Sequence, residues 1–244
     1  MLEMNYMLSY GSAEASLRTL WKFGLLEIVL PIQAAYFVRN RFKRRDQRFN
    51  MLLTLFANMD KFLAPDRPSH SCVWIGLLAF HKAISENPRH PRVIATFCLT
   101  LRNGGNIAEA VRISRSIKAE PETSFEEVSG CDVVETATLV SEVRKLGRCV
   151  DEALWDMTRE DFVREAMAGY PRAPFSNMVF IPMSLCARTC RVFDCVKDGN
   201  LYSFRRFARS GRDVDYQQLA LGGLSEVRHV FSRIVFDTIY PFKS

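Results

Sequence analysis

The chain should fold as an all-α protein: a helical bundle or a stack of helical hairpins, with a smaller helical region at its C-terminal end. Three observations predict this. Apolar residues recur at i, i+3, i+4 and i+7 through most of the 244 residues. Glycine, proline and asparagine punctuate those runs where helices would start and stop. Only Met178 to Ile181 tempts a strand reading, and one short run does not make a sheet.

Each element has its own signals. Met1, Met4, Met7 and Leu8 already lie at helical spacing, and Gly11-Ser12 reads as a stop followed by a fresh N-cap. Leu17, Leu20 and Trp21 form the stripe of a second helix, with Glu14 in its first turn and Gly24 placed to end it. Pro31 closes this unit, and Ile32 to Asn40 continues as a helix into a charged stretch. Asn50 starts another, with Leu52, Phe56, Met59 and Leu63 on one face. The two prolines of Ala64-Pro65-Asp66-Arg67-Pro68 make a turn. Ser71 to Glu86 is apolar on more than one side, through Val73, Trp74, Leu77, Leu78, Phe80 and Ile84, which predicts a central helix. Asn87-Pro88 ends it. Pro91 opens a helix carrying Val93, Ile94, Phe97, Cys98 and Leu101, which Gly104-Gly105 breaks, and Asn106 caps a further one to about Lys118 with Ile107, Val111 and Ser114 inward.

Residues 119–131, with the sequence AEPETSFEEVSG from Ala119 to Gly130, are acidic and short of aliphatic side chains, which reads as a linker between a body at 1–118 and a C-terminal region at 132–244. In that region Asp132 to Leu146 is helical with Gly147 as its stop. Thr158 with Asp161 resembles a capping box before Phe162, Val163, Ala166 and Met167, and Pro171 and Pro174 force a loop. Met183 to Val196 and Ser225 to Ile239 are the last helices, the latter with Val227, Val230, Phe231, Ile234, Val235 and Thr238 on one side.

Composition bounds the function. At 48% hydrophobic and 25% charged residues the chain has the make-up of an ordinary globular protein. No apolar run reaches the roughly 18 residues that span a bilayer, so no membrane partner is expected. The start lacks a basic n-region and contains Glu3, which argues against a signal or transit peptide. Seven cysteines, an odd number, sit in hydrophobic segments of a chain too large to need disulfides, so reduced thiols in an intracellular, reducing compartment are expected. The net charge of +6 is modest; its placement matters more.

A family resemblance starts at the N-terminal helices. The pattern of an amphipathic helix, a short gap with a small residue and then SLRTLWKFGLLEIVLP is similar to the region C-terminal to the catalytic head in bacterial-type poly(A) polymerases and the related tRNA nucleotidyltransferases. The run from Met1 to about Gly105, including RRDQRFNMLLTLF, LAPDRPSHS and WIGLLAFHKA, looks like the plant-type polynucleotide adenylyltransferase members of that superfamily. The resemblance implies an RNA-binding neck and body, an RNA partner, and a catalytic head that would use ATP and Mg²⁺ for RNA 3′-end adenylation or tRNA CCA-type transfer. It implies no cofactor for the residues present here, and makes Met1 read as a cut, with a head or other protein supplied in trans as a further partner.

The residues agree with that division. The one DxD string, Asp213-Val214-Asp215, lies in a polar loop without a preceding strand or Gly-rich turn, as expected of an Asx-type turn. Arg44-Arg45-Asp46 followed by Asn50 imitates the family's RRDxxxN nucleotide-handling string, but it precedes Asp213 and falls between two helices, so no catalytic residue is assigned. The same segment carries Arg39, Arg41, Lys43, Arg44, Arg45 and Arg48 against a single Asp46, with Phe42 and Phe49 interleaved; such a patch can neutralise phosphates and stack bases. A second, looser cluster includes Arg188, Arg191, Lys197, Arg205, Arg206, Arg209 and Arg212 with Phe193, Tyr202, Phe204 and Phe207 nearby, its densest part being Phe204 to Arg209. Cys186, Cys190 and Cys195 lack the spacing of a zinc knuckle and read as core. Trp21, Trp74 and Trp155 also read as core. The competing function is a helical protein-interaction module with no RNA role.

Overall fold

The computed structural model describes residues 2–129, 135–168, 181–197 and 213–241. Among them the regular structure is α-helical, and strand pairing is limited to two isolated bridges, Ala64 with Arg67 and Arg89 with Val128. The all-α expectation holds. The helices are α1 (Leu2–Ser9), α2 (Ala13–Lys22), α3 (Leu26–Val29), α4 (Pro31–Arg39), α5 (Met51–Asp60), α6 (Cys72–Glu86), α7 (Pro91–Arg102), α8 (Ile107–Arg115), α9 (Thr136–Asp156), α10 (Glu160–Met167), α11 (Met183–Lys197), α12 (Tyr216–Leu221) and α13 (Leu224–Ile239).

Helix α6 is the axis. Every residue from Cys72 to Ile84 is buried, as its all-round apolarity predicts. Helices α9, α11, α13, α5 and α4 pack around it, and α7 lies against α13, α8, α9 and α11. The centre is a ring of four phenylalanines, one each from α6, α7, α11 and α13. Phe80–Phe97, Phe97–Phe193, Phe193–Phe231 and Phe231–Phe80 have ring centroids 5.2 to 6.1 Å apart, in stacked and edge-on pairs. Gly76 makes this approach possible, because a Cβ there would stand 3.3 Å from Phe193 Cζ.

Local chemistry sets most boundaries. Asn50 and Asn106 cap α5 and α8 by accepting hydrogen bonds from Leu53 N–H and Glu109 N–H. Ser12 precedes α2, but its side chain makes no cap; the carboxylate of Asp60, from the end of α5, accepts from Ala13 and Glu14 N–H instead. Gly24, at φ +72°, closes α2 with the paired bonds of a left-handed C-cap, Gly24 N–H to Trp21 O and Leu25 N–H to Leu20 O. Pro31 is the first residue of α4 rather than the end of the preceding unit.

Three further sequence expectations are overturned. Gly147 does not stop α9, which runs on to Asp156; its missing Cβ lets α11 approach, since a Cβ would lie 3.3 Å from Val196 Cγ1. Trp155 is 41% exposed rather than core. Thr158 does not cap α10: its hydroxyl donates to Trp155 O, closing α9, and Arg159 stands at the N-cap of α10. The residues from Met178 to Phe180, the loop at Pro171 and Pro174, and the side chains of Phe162, Val163, Ala166 and Met167 lie outside the described residues; Ile181 is buried in coil.

The acidic segment lies against the body. Arg89 N–H donates to Glu127 O and Ser129 N–H to Arg89 O, while Phe125 and Val128 pack on the core. Glu127 is buried beside His81, with Oε1 3.5 Å from Nε2, and beside Tyr36, whose ring meets the His81 ring edge-on at 4.3 Å. Burial would raise the Glu127 carboxyl, but His81 and the Tyr36 hydroxyl outweigh it and hold it below the ordinary range. Burial, and then Glu127, push the Tyr36 hydroxyl well above its usual value. Further ties across the helices are buried Lys82 to Asp156 at 3.0 Å, Arg89 to Glu142 at 2.6 Å and Lys197 to Asp151 at 2.9 Å.

These contacts set the response to substitution and to acid. Gly105 combines φ +112° with a virtual Cβ 2.8 Å from Cys195 O, whereas a Cβ on Gly24 meets open space. Gly105→Ala should therefore cost about 3 kcal/mol and Gly24→Ala about 1 kcal/mol, read from urea midpoints. Because the folded carboxyl of Glu127 is held low, its contribution is present above the ordinary carboxylate range and fades as pH falls through and below it. Glu127→Gln should cost about 1–3 kcal/mol at neutral pH, with the gap to the parent narrowing on acidification.

Candidate nucleic-acid interface

Between α4 and α5 the chain runs through residues 40–50, and this loop carries the basic run. Its entrance is strained. Helix α4 ends with Asn40 N–H on Tyr36 O, Arg41 N–H on Val38 O and Phe42 N–H on Phe37 O, a pattern that requires a left-handed residue at Arg41, at φ +52°. Glycine is the usual occupant. The return is apolar: Phe42 is buried with its ring 4.9 Å from Phe37, so it belongs to the core and is not an exposed base platform.

The rest of the loop is pinned by α2. Trp21 Nε1 donates to Lys43 O at 3.0 Å, and Arg18 donates to Asp46 O at 2.8 Å and Arg48 O at 3.1 Å. Arg18 is itself oriented by Glu14 one turn back and by Phe49, whose ring centre is 4.8 Å from the guanidinium. Backbone carbonyls that would otherwise face water are thereby satisfied.

The six predicted cations divide. Arg44 lies 3.9 Å over the Trp21 ring, donates to Trp21 O at 2.7 Å and pairs with buried Glu27, which makes it a structural clamp. Arg48 forks onto Asp46 at 2.6 Å while remaining exposed, and this bond holds the Asp46 carboxyl well below its usual range and raises Arg48. Arg39 rests near the Tyr36 ring and reaches Ser85 O at 3.5 Å. Arg41, Lys43 and Arg45 are exposed and make no side-chain hydrogen bond, ion pair or ring contact among the described residues. Lys43, Arg45 and Arg48 line one open depression with Asp46 and Gln47. Phe49, 58% exposed, and Phe23, 66% exposed with Lys22 over its ring, are the aromatic faces available nearby.

Sequence reasoning missed Arg18 and Lys22 as members of this surface. Their i, i+4 spacing on α2 beside Glu14 was the signal, but it is shared by many solvated helices.

The second cluster does not assemble among the described residues. Arg205, Arg206 and Arg209 lie outside them; Lys197 is committed to Asp151 and Asp194, and Phe193 belongs to the central ring. Asp213-Val214-Asp215 is a helix start: Asp215 Oδ1 accepts from Gln218 N–H and caps α12. Cys186 and Cys190 are core residues, and burial raises both thiols, so neither is poised as a thiolate. A hollow of about 430 Å³ between α7 and α13 includes Cys98, whose thiol burial likewise raises, and the Arg233–Asp237 pair.

The class this geometry defines is a helical body displaying a braced basic loop with aromatic neighbours, a surface suited to phosphate and unpaired bases. Residues 1–37 match a family model described as the probable RNA and SrmB-binding site of polymerase A. The match covers α1 to α3 and most of α4, which includes Arg18 and Trp21. It supports a poly(A) polymerase-related RNA-binding region at this end of the chain. Neither the curated proteins nor the solved structures provide a match.

Arg41 gives a test that separates folding from binding. Arg41→Gly should relieve the left-handed backbone and leave stability unchanged or up to about 1 kcal/mol higher. If this loop holds RNA, affinity should fall through the loss of a free cation while the thermal midpoint holds or rises, measured by anisotropy beside thermal unfolding.

Proposed function

We propose that the chain is the RNA-binding helical portion of a polynucleotide adenylyltransferase-like protein. One observation carries this reading. The segment that matches the RNA-binding family model supplies Arg18 and Trp21, and these two side chains fix the backbone of the basic loop found independently from charge. The loop combines free cations with a guanidinium–aromatic pair beside them, which is how single-stranded nucleic acid is held without base-specific contacts. In this reading ATP and Mg²⁺ serve a catalytic head, on the same polypeptide or supplied in trans, and the residues described here position the RNA 3′ end for adenylation or CCA-type transfer. Arg205, Arg206 and Arg209 would extend the basic track. The competing reading as a protein-interaction module draws on exposed Phe23 and Leu25.

Fluorescence anisotropy with a single-stranded RNA at increasing salt tests the proposal. Three free cations, Arg41, Lys43 and Arg45, predict a log–log slope of about −2, and all six would give about −4. Lys43→Ala with Arg45→Ala should flatten the slope by about 1 without lowering the thermal midpoint. Absence of RNA binding at low salt would overturn the RNA reading in favour of the protein module.

A further inference from the structure

The basic loop ends at Asn50, where α5 begins, and α5 is about 15 Å long. At the other end of that helix, the Phe62 ring lies 5.5 Å from the guanidinium of Arg233, which lines the hollow of about 430 Å³ between α7 and α13. We propose that this hollow is a separate binding site for a small molecule that joins a flat apolar body to one oxyanion, a carboxylate or a phosphate monoester. The inference is independent of the RNA reading above.

Charge selects the anion. The volume falls within the roughly 300–1,000 Å³ of small-molecule sites. Two guanidinia line the hollow, Arg102 at the end of α7 and Arg233 on α13, against the single carboxylate of Asp237 among the described residues. Both reach solvent: Arg102 is exposed, and the Arg233 side chain is 38% exposed. Asp237 does not exhaust Arg233, because Nε stands 3.7 Å from Oδ2, an ion pair too long for a hydrogen bond. A guanidinium carries five N–H donors in a fork that matches two oxygens of a carboxylate or phosphate. Lys61 also acts on Asp237, so the local balance is positive.

Spacing selects the apolar body. Each helix offers the hollow one apolar residue and one arginine three positions apart, Leu99 with Arg102 on α7 and Arg233 with Phe236 on α13. Residues at that spacing are neighbours on a helix surface, so each guanidinium stands beside an apolar wall. Leu99 and Phe236 are half-buried and so still present surface. Phe236 is held by stacking on Tyr240 one turn along, with ring centres 5.1 Å apart, which fixes a flat wall for a second ring. Cys98 and Ser232 are buried behind these side chains and take no part in recognition. The ligand therefore needs both halves: an oxyanion for the arginines and a flat body for Phe236 and Leu99.

The test uses ligand-detected NMR titrations of the whole chain with phenyl phosphate, benzoate, inorganic phosphate and benzyl alcohol. Phenyl phosphate and benzoate should bind about tenfold or more tightly than the other two, each of which supplies only half of the ligand. Arg102→Gln changes an exposed side chain; it should weaken both aromatic anions about tenfold and leave benzyl alcohol unchanged, with the thermal midpoint checking the fold. Arg233→Gln should act in the same direction. Inorganic phosphate binding as tightly as phenyl phosphate would overturn the apolar half of the site. Anion binding that is absent, or that survives both substitutions, would overturn the assignment of this hollow. Displacement of phenyl phosphate by oligo(U) would make the hollow part of an RNA surface and overturn a separate site while the RNA reading stands.

Discussion

The four-phenylalanine ring is the contact on which the rest of the molecule depends. Phe80 and Phe97 come from the helices before the acidic segment, Phe193 and Phe231 from those after it, and each ring touches two others. Aromatic rings bury large apolar areas and constrain orientation as well as distance. With Gly76 giving them room, they fix α6, α7, α11 and α13 around one centre. The N-terminal helices are then assembled against α5 and α6, where the basic loop lies.

That loop is held from several sides, and on the proposed function it compromises between folding and binding. Its backbone is over-determined by Arg18, Trp21 and buried Phe42, and Arg44 is committed to Trp21 and Glu27. The same rigidity holds Arg41 in a conformation that glycine would occupy more easily, a local departure of the kind that accumulates at binding surfaces. A loop fixed in this way presents its remaining cations at defined positions, which on the proposed function would lower the entropy lost on binding RNA.

Much of the architecture was legible because it obeys short-range rules. Asn50, Asn106 and Pro91 act at helix starts as their side chains dictate, and the all-round apolarity of Cys72 to Ile84 marked the central helix. The failures share a cause. Gly147 looked like a stop because glycine usually is one, but tertiary packing against Val196 retains it inside α9. Ser12 was a plausible cap, yet the carboxylate of Asp60, at the far end of α5, performs the capping. Of the site, the cations could be read as a group, but not their division into clamp, fork and free members.

The sequence by itself determined that this protein is helical, where its helices mostly begin, and that residues 39–48 concentrate positive charge. Those properties depend on side chains and their near neighbours along the chain. Tertiary structure alone decided that Arg18 and Trp21 hold the basic loop, that Phe42 turns inward while Phe49 stays out, and that Glu127 enters a buried contact with His81 and Tyr36. Each of these joins residues distant in sequence or turns on how the helices pack around the phenylalanine ring, which no local pattern encodes.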